Sequence, residues 1–335
     1  IAEKYMQEKG MDYDPGKAFN TLNTEMSQEI AAAYDSMEHN PKDPEVKKAY
    51  EVMVNETAEQ YDAIIAEGYV VEINNNEPYS SSKDMIEDLA SNKRMKIFST
   101  ESGFGSEEIT DDQRADNPLL RDSGFTDVNG QKLLMNDVFR FVHDFFGHAK
   151  RGNGFGPKGE ENAWDVHSRM YSPLARRAMT SETRGQNSWV NFSGVNEEAF
   201  KLRDKARRLR KEGRTDEASK LIEQVYEMMA FAEQKIGLMP EKYTANPYIE
   251  GGDPDFSLDN GTLGKVGEEF TVSDEINTDV ESKGTPRLDD ISFSLDEKVK
   301  RHEGRGKIVR GKLKDFVGKV MHVTFSDRML GGFVG

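Results

Sequence analysis

Apolar residues recur at helical spacing over long stretches of this chain. Val46, Ala49, Tyr50, Met53, Ala58, Tyr61, Ile64 and Ile65 form one stripe, the signature of a helix with one buried face. Asp43-Pro44-Glu45 supplies its start, a capping carboxylate followed by Pro at the first helical position, and Gly68 supplies its stop. Tyr69 to Ile73 and Met95 to Phe98 read as strands on either side of a short helix, Asp84 to Ala90. The polar stretch from Gly103 to Gly130 reads mostly as loop. Asn136 caps a further helix with Val138, Phe139, Val142, Phe145, Phe146 and Ala149 on one side, and Gly152, Gly154, Gly156 and Gly159 break it. Glu160 to Met170 and Leu174 to Ser181 read as helices, and Glu197 to Lys211 pairs with Asp216 to Ile236 around Gly213. The pattern predicts a mainly α fold with a small β element, in the α+β class.

Composition divides the chain. From Gly251 to Glu297 the apolar residues lose their periodicity, and thirteen acidic residues face only Lys265, Lys283 and Arg287, a net charge of −10 within a chain total of −16. Such a stretch reads as a linker or extended wrap. The expected organisation is therefore an N-terminal extension over 1–29, a folded domain over 30–245, an acidic linker over 246–300, and a basic segment over 301–335. The alternating run Val317 to Phe325 in that last segment reads as a strand at the edge of a further module. The start at Ile1 and the Gly-rich end suggest a piece of a longer polypeptide. No apolar run approaches the roughly 20 residues that span a bilayer, and no N-terminal segment reads as a signal peptide. Lys201 to Lys211 carries seven basic residues, but Ala206 and Leu209 turn one side inward, so a solvated face is favoured over a nucleic-acid contact.

The chain has no cysteine, which excludes disulfides, thiolate metal sites and a cysteine nucleophile. A metal would have to be held by His and carboxylate. Three of the six histidines fall within 25 residues, two of them in His143-Asp144-Phe145-Phe146-Gly147-His148. Five residues advance a regular helix by about 500°, leaving the two rings about 140° apart. If the helix ends or unwinds at Gly147, His148 can swing back beside His143. Two imidazoles then need a third ligand from Glu160, Glu161, Asp165, His167 or Glu182. Two His and one carboxylate suit non-haem Fe(II), and three protein ligands plus water equally suit a catalytic Zn.

The same six residues resemble the His-(Glu/Asp)-x-x-Gly-His signature of the pterin-dependent aromatic amino acid hydroxylases. That resemblance implies iron on both histidines, a later Glu as third ligand, matched here by Glu182, and Asp144 as the acidic residue beside the cofactor. The family's pterin pocket and substrate clamp have no counterpart in the chain, so the pterin itself is not carried over. A longer resemblance runs through Asn117-Pro118-Leu119-Leu120, the His143 segment, Gly159 to Trp164, His167 to Ser172, Thr183 to Trp189 and Glu233 to Leu238. These are similar to a domain of the large polyvalent proteins of bacteriophages and mobile elements, which are packaged or injected with phage DNA. That implies other virion proteins or other modules of the same chain as partners, in the virion interior or the host cytoplasm.

Arg184, Gln186, Asn187 and Ser188 lead to Trp189. One reading gives them hydrogen bonds to a small polar ligand beside the metal, with Arg184 on a carboxylate or phosphate. The other makes them a helix end and turn held by side-chain caps. Gly152 to Gly156 lacks the strand, helix and Lys of a phosphate cradle and reads as a lid or chain reversal. Trp164 and Tyr171 read as core, and His39, His302 and His322 receive no role. The leading expectation is a mononuclear iron site on His143, His148 and Glu182, with His167 as an alternative ligand. It would activate oxygen while Asp144 and Arg184 orient cosubstrate or substrate. With zinc instead, Glu161 becomes the general base of a hydrolase. The competing expectation is a virion-internal structural or ejection protein whose metal only pins the fold.

Overall fold

The computed structural model describes residues 1–14, 22–79, 81–102 and 109–245. The acidic linker and the basic segment with its strand at Val317 to Phe325 lie outside the described residues.

Helix α1 (Ala2–Glu8) and helix α2 (Thr24–Ser36) precede the first element read from the pattern. The expected extension 1–29 thus contributes to the fold, with Ala2, Tyr5 and Met6 buried in the main core. Helix α3 (Pro44–Ala66) starts as its sequence requires, with the Asp43 carboxylate accepting from the backbone N–H groups of Glu45 and Val46. It stops before Gly68, whose φ of 84° needs a residue without a Cβ. Strand β1 (Val70–Asn74), helix α4 (Ser82–Asn92) and strand β2 (Arg94–Phe98) form a parallel crossover in which Val71 lies opposite Met95.

The stretch expected to be mostly loop holds short elements with too few apolar positions to show a period. They are helix α5 (Asp111–Asp116) and an antiparallel hairpin of strands β3 (Asp122–Thr126) and β4 (Lys132–Leu134). Among the described residues the small β element is therefore two separate two-stranded sheets, and the fold is mainly α as the pattern predicts.

Helix α6 (Met135–His143) passes directly into a π-turn, Asp144–Ala149. Helix α7 (Pro157–Ser168) follows, then helix α8 (Pro173–Thr180), a second π-turn at Ser181–Gly185, and helix α9 (Gln186–Phe192). The polar run after Glu182 is therefore the middle of a helix and not its end. Helices α10 (Glu197–Lys211) and α11 (Thr215–Met228) pack on each other. Helix α11 stops eight residues short of the expected Ile236 because the Asn196 amide holds Ala230 from both sides. Its Oδ1 accepts from the Ala230 N–H at 2.8 Å and its Nδ2 donates to the Ala230 carbonyl at 2.8 Å.

One core lies among α1, α3, α4, α6, α7 and α8, and contains Trp164 and Tyr171 as expected. A second joins α2, α10, α11 and the chain from Met229 to Tyr243. On α10 the inward residues are Ala199, Arg203, Ala206 and Leu209, while Lys201 pairs with Glu197 and Glu198. Among the described residues no helix is long and apolar enough to cross a membrane.

The Gly-rich loop is a buried chain reversal, with Gly152 to Gly156 all inaccessible. It packs so closely on the start of α7 that a Cβ on Gly159 would sit 1.9 Å from the Gly154 carbonyl oxygen. Gly159→Ala is therefore expected to lower the unfolding free energy by at least about 2 kcal/mol, an overpacking cost against backbone that cannot yield. Gly130→Ala, with φ of 79° but nothing within 4 Å, should cost only about 1 kcal/mol. Urea denaturation of the two variants tests the ordering.

Candidate metal centre

The π-turn answers the geometric problem posed by the two histidines. Widening the helix to i→i+5 closure brings residues five apart toward one face, so His143 and His148 converge without the helix ending at Gly147. Their rings meet edge to face with centroids 5.1 Å apart. Gly147 lets the turn approach α7: a Cβ there would lie 3.0 Å from the Ala163 carbonyl oxygen and 3.1 Å from its Cβ.

That approach brings Glu160, one turn before Ala163, against the histidines. Glu160 Oε2 lies 3.3 Å from His148 Nε2 and 3.9 Å from His143 Nε2. The three ligand atoms all fall within 4.8 Å of one another. Three donors each about 2.1 Å from one ion are about 3.0–3.5 Å apart, so the set could close on a metal with small movements. The residues are buried, at 2%, 0% and 4% exposure for His143, His148 and Glu160. Among the described residues neither His143 Nε2 nor Glu160 Oε2 has a hydrogen-bond partner. Buried polar atoms without partners are costly, and here two of them point at the same place. The group can hold a metal ion.

The electrostatics suit a cation. Burial alone would raise the Glu160 carboxyl, but the facing imidazoles, His148 foremost, outweigh it and hold it at about 2. Burial pushes His143 down, with the neighbouring His148 adding to the effect and Glu160 opposing it. His167 is driven well below the ordinary range, by burial first and then by the other two rings. Burial favours the neutral imidazole of His143, and the Glu160 carboxyl is ionised, the states in which each can ligate a metal.

Each imidazole is held from behind. His148 Nδ1 lies 3.2 Å from the Asn153 carbonyl, and the Asn153 side chain donates to the Gly147 carbonyl at 2.8 Å. His143 Nδ1 lies 3.1 Å from His167 Nδ1, and His167 Nε2 lies 2.9 Å from Gln60 Oε1. Phe139, Phe146 and Phe155 pack around the three rings.

The other expected site residues lie elsewhere. Glu182, expected as third ligand, accepts from the Tyr50 hydroxyl with one oxygen and from Gln186 Nε2 at 2.9 Å with the other. The carboxylate that lies beside the two histidines is Glu160. His167 stands behind His143, outside the close group, with both of its nitrogens engaged. Arg184 is saturated by protein. Its Nε donates to Glu161 at 3.1 Å, its Nη2 pairs with the other Glu161 oxygen, and its Nη1 donates to the Tyr243 carbonyl at 2.7 Å. Its guanidinium also lies 3.8 Å from the Trp164 ring centroid. Arg184 therefore cannot present its fork to a small ligand without breaking these bonds, and Glu161 is no free general base. Gln186 also bonds Gln234, and Trp189 Nε1 donates to Asp35 at 2.9 Å, away from the centre. Asp144 is buried on the π-turn, where its charge favours a protonated His143.

Gln60 and Asn153 carried no signal in the motif. Glu160 did: with His167 it forms a spacing of seven on α7, so both project from one helix face toward the same histidine. Comparison with known proteins finds no matching family model, no matching curated protein and no matching solved structure.

Glu182 provides a pH test separate from the metal set. Burial lifts its carboxyl from 4.5 to about 7, against the hydrogen bonds from Tyr50 and Gln186. A folded chain that keeps this proton longer than the unfolded chain has the full contribution below about pH 4.5 and loses it as pH rises toward 7. The loss is on the order of 3 kcal/mol. Glu182→Gln should flatten the stability–pH curve between those limits and leave the variant the more stable chain at pH 8, measured by chemical denaturation.

Proposed function

We propose that this domain is a mononuclear metalloprotein of the two-His-one-carboxylate type, with His143, His148 and Glu160 as ligands and iron(II) as the resident ion. The observation that carries the reading is the convergence of three buried ligand atoms, two of them, among the described residues, without any other polar partner. Iron is preferred because this ligand set leaves coordination positions for dioxygen and a substrate, the chemistry such an ion supplies. The chain's own residues do the rest. His167 and Asn153 hold the rings, Glu160 supplies the negative charge, and the surrounding Phe side chains keep water out. An oxygenase or hydroxylase-like activity is the reading favoured, without a pterin. The zinc hydrolase reading is weaker because Glu161 is committed to Arg184.

The setting rests on the sequence resemblance alone: one module of a larger phage or mobile-element polypeptide, acting in the virion or the host cytoplasm. A second reading, that the ion only pins a structural domain of such a protein, draws support from the burial of all three ligands.

Metal analysis of the purified chain tests the proposal. About one iron per chain is expected in the wild type, lost in His143→Ala and in Glu160→Ala but retained in Glu182→Gln. A wild type without stoichiometric metal, or one whose content the first two substitutions do not change, overturns it. Nitric oxide then separates the two readings: an iron centre with open positions forms a nitrosyl visible by electron paramagnetic resonance, and a closed structural centre does not.

A further inference from the structure

We infer that Gln60 and His167 are positioning residues that impose on His143 the tautomer whose Nε2 lone pair faces Glu160. The inference takes its purpose from the metal reading above but stands on hydrogen-bond geometry.

The Met170 backbone carbonyl can only accept a hydrogen bond. Gln60 Nε2 lies 3.3 Å from the Met170 carbonyl oxygen and donates to it. The reverse amide orientation would set two oxygens against each other there, so Gln60 Oε1 is the atom 2.9 Å from His167 Nε2. An amide oxygen also only accepts, so the proton of His167 sits on Nε2. A neutral imidazole carries one N–H, which leaves His167 Nδ1 as an acceptor. The burial that keeps His167 neutral keeps that logic intact. The atom 3.1 Å from His167 Nδ1 is His143 Nδ1, and it must donate. His143 Nε2 is then a bare lone pair, aimed into the space it shares with His148 Nε2 and Glu160 Oε2.

His148 Nδ1 donates directly to the Asn153 backbone carbonyl. His143 is therefore preset for coordination through Nε2 before any ion arrives. His143 differs in needing two further side chains from two other elements, Gln60 on α3 and His167 on α7, to reach a backbone anchor. The Gln60–Met170 contact ties the orientation of a ligand to the packing of α3 against the end of α7.

The test has two arms on the full chain. In the first, the metal-free wild type is labelled with 15N-histidine and its ring nitrogens are read by long-range 15N–1H correlation, the six histidines being assigned by single substitution. The expected pattern is Nδ1–H for His143 and Nε2–H for His167. The opposite tautomer on either ring overturns the inference, and no variant has to fold for that result. In the second, cobalt(II) is bound and its affinity read by visible absorption against a chelator. His167→Leu and Gln60→Met should weaken it about 10–100-fold, while His167→Asn, whose Oδ1 can still accept from His143 Nδ1, should stay near the wild type. Equal affinities in all four proteins overturn the positioning role while leaving the metal reading intact. A wild type that binds no ion but shows the expected tautomers defeats the metal reading and supports this one.

Discussion

The π-turn at Asp144–Ala149 pressed against α7 is the contact on which the interior of this domain depends. Only a helix widened at this point turns residues five apart to one side, and only a Gly at 147 allows the widened backbone to sit against Ala163. The next loop has to reverse within a few residues, and its own Gly154 meets Gly159 where no side chain fits. The stretch from His143 to His167 is therefore specified as much by where side chains are absent as by where they are present. Phe145 and Phe146 on the turn are buried in the core and anchor it there.

Burial gives the polar interior its chemistry because each charged group is answered by a different neighbour. Glu160 and Glu182 are both inaccessible carboxyls, yet they diverge in opposite directions. Glu160 faces two imidazoles and is held ionised near 2, whereas Glu182 faces a phenol and an amide and keeps its proton up to about 7. Glu161, next in sequence to Glu160 but turned to another side of α7, meets the Arg184 guanidinium in a closed ion pair. Breaking one side of such a pair is costly, about 3–5 kcal/mol, which marks it as part of the framework. Of the three carboxyls only Glu160 has an oxygen left over among the described residues, and it lies beside two imidazole nitrogens.

Two π-turns, one before α7 and one after α8, account for most of the difference between pattern and fold. The first brings together His143 and His148. The second, at Ser181–Gly185, carries the helix through a polar run that on composition looks like its end, and so places Glu182 against Tyr50 and Arg184 against Glu161. A motif match that counts forward to a later Glu cannot register such a shift in helical phase, so Glu182 fits the spacing while its carboxyl meets Tyr50 and Gln186. Helix α11 ends short of its pattern for a related reason, since Asn196, more than thirty residues away, stops it through two hydrogen bonds to Ala230.

What the amino-acid order determined by itself was local. The apolar stripe and Asp43-Pro44 start of α3, the strands around α4, the mainly helical class, and the restriction of any metal to His and carboxylate all follow from spacing, capping and the missing cysteines. The cluster of His143 and His148 around a Gly was legible too, together with a short set of carboxylates from which a partner could come. The choice within that set belonged to the tertiary structure. Which carboxylate completes the group depends on how closely two backbones can pack, and which nitrogen of His143 faces it depends on a hydrogen-bond chain ending at Met170. Both are distances between segments far apart in the chain, and no local pattern encodes them.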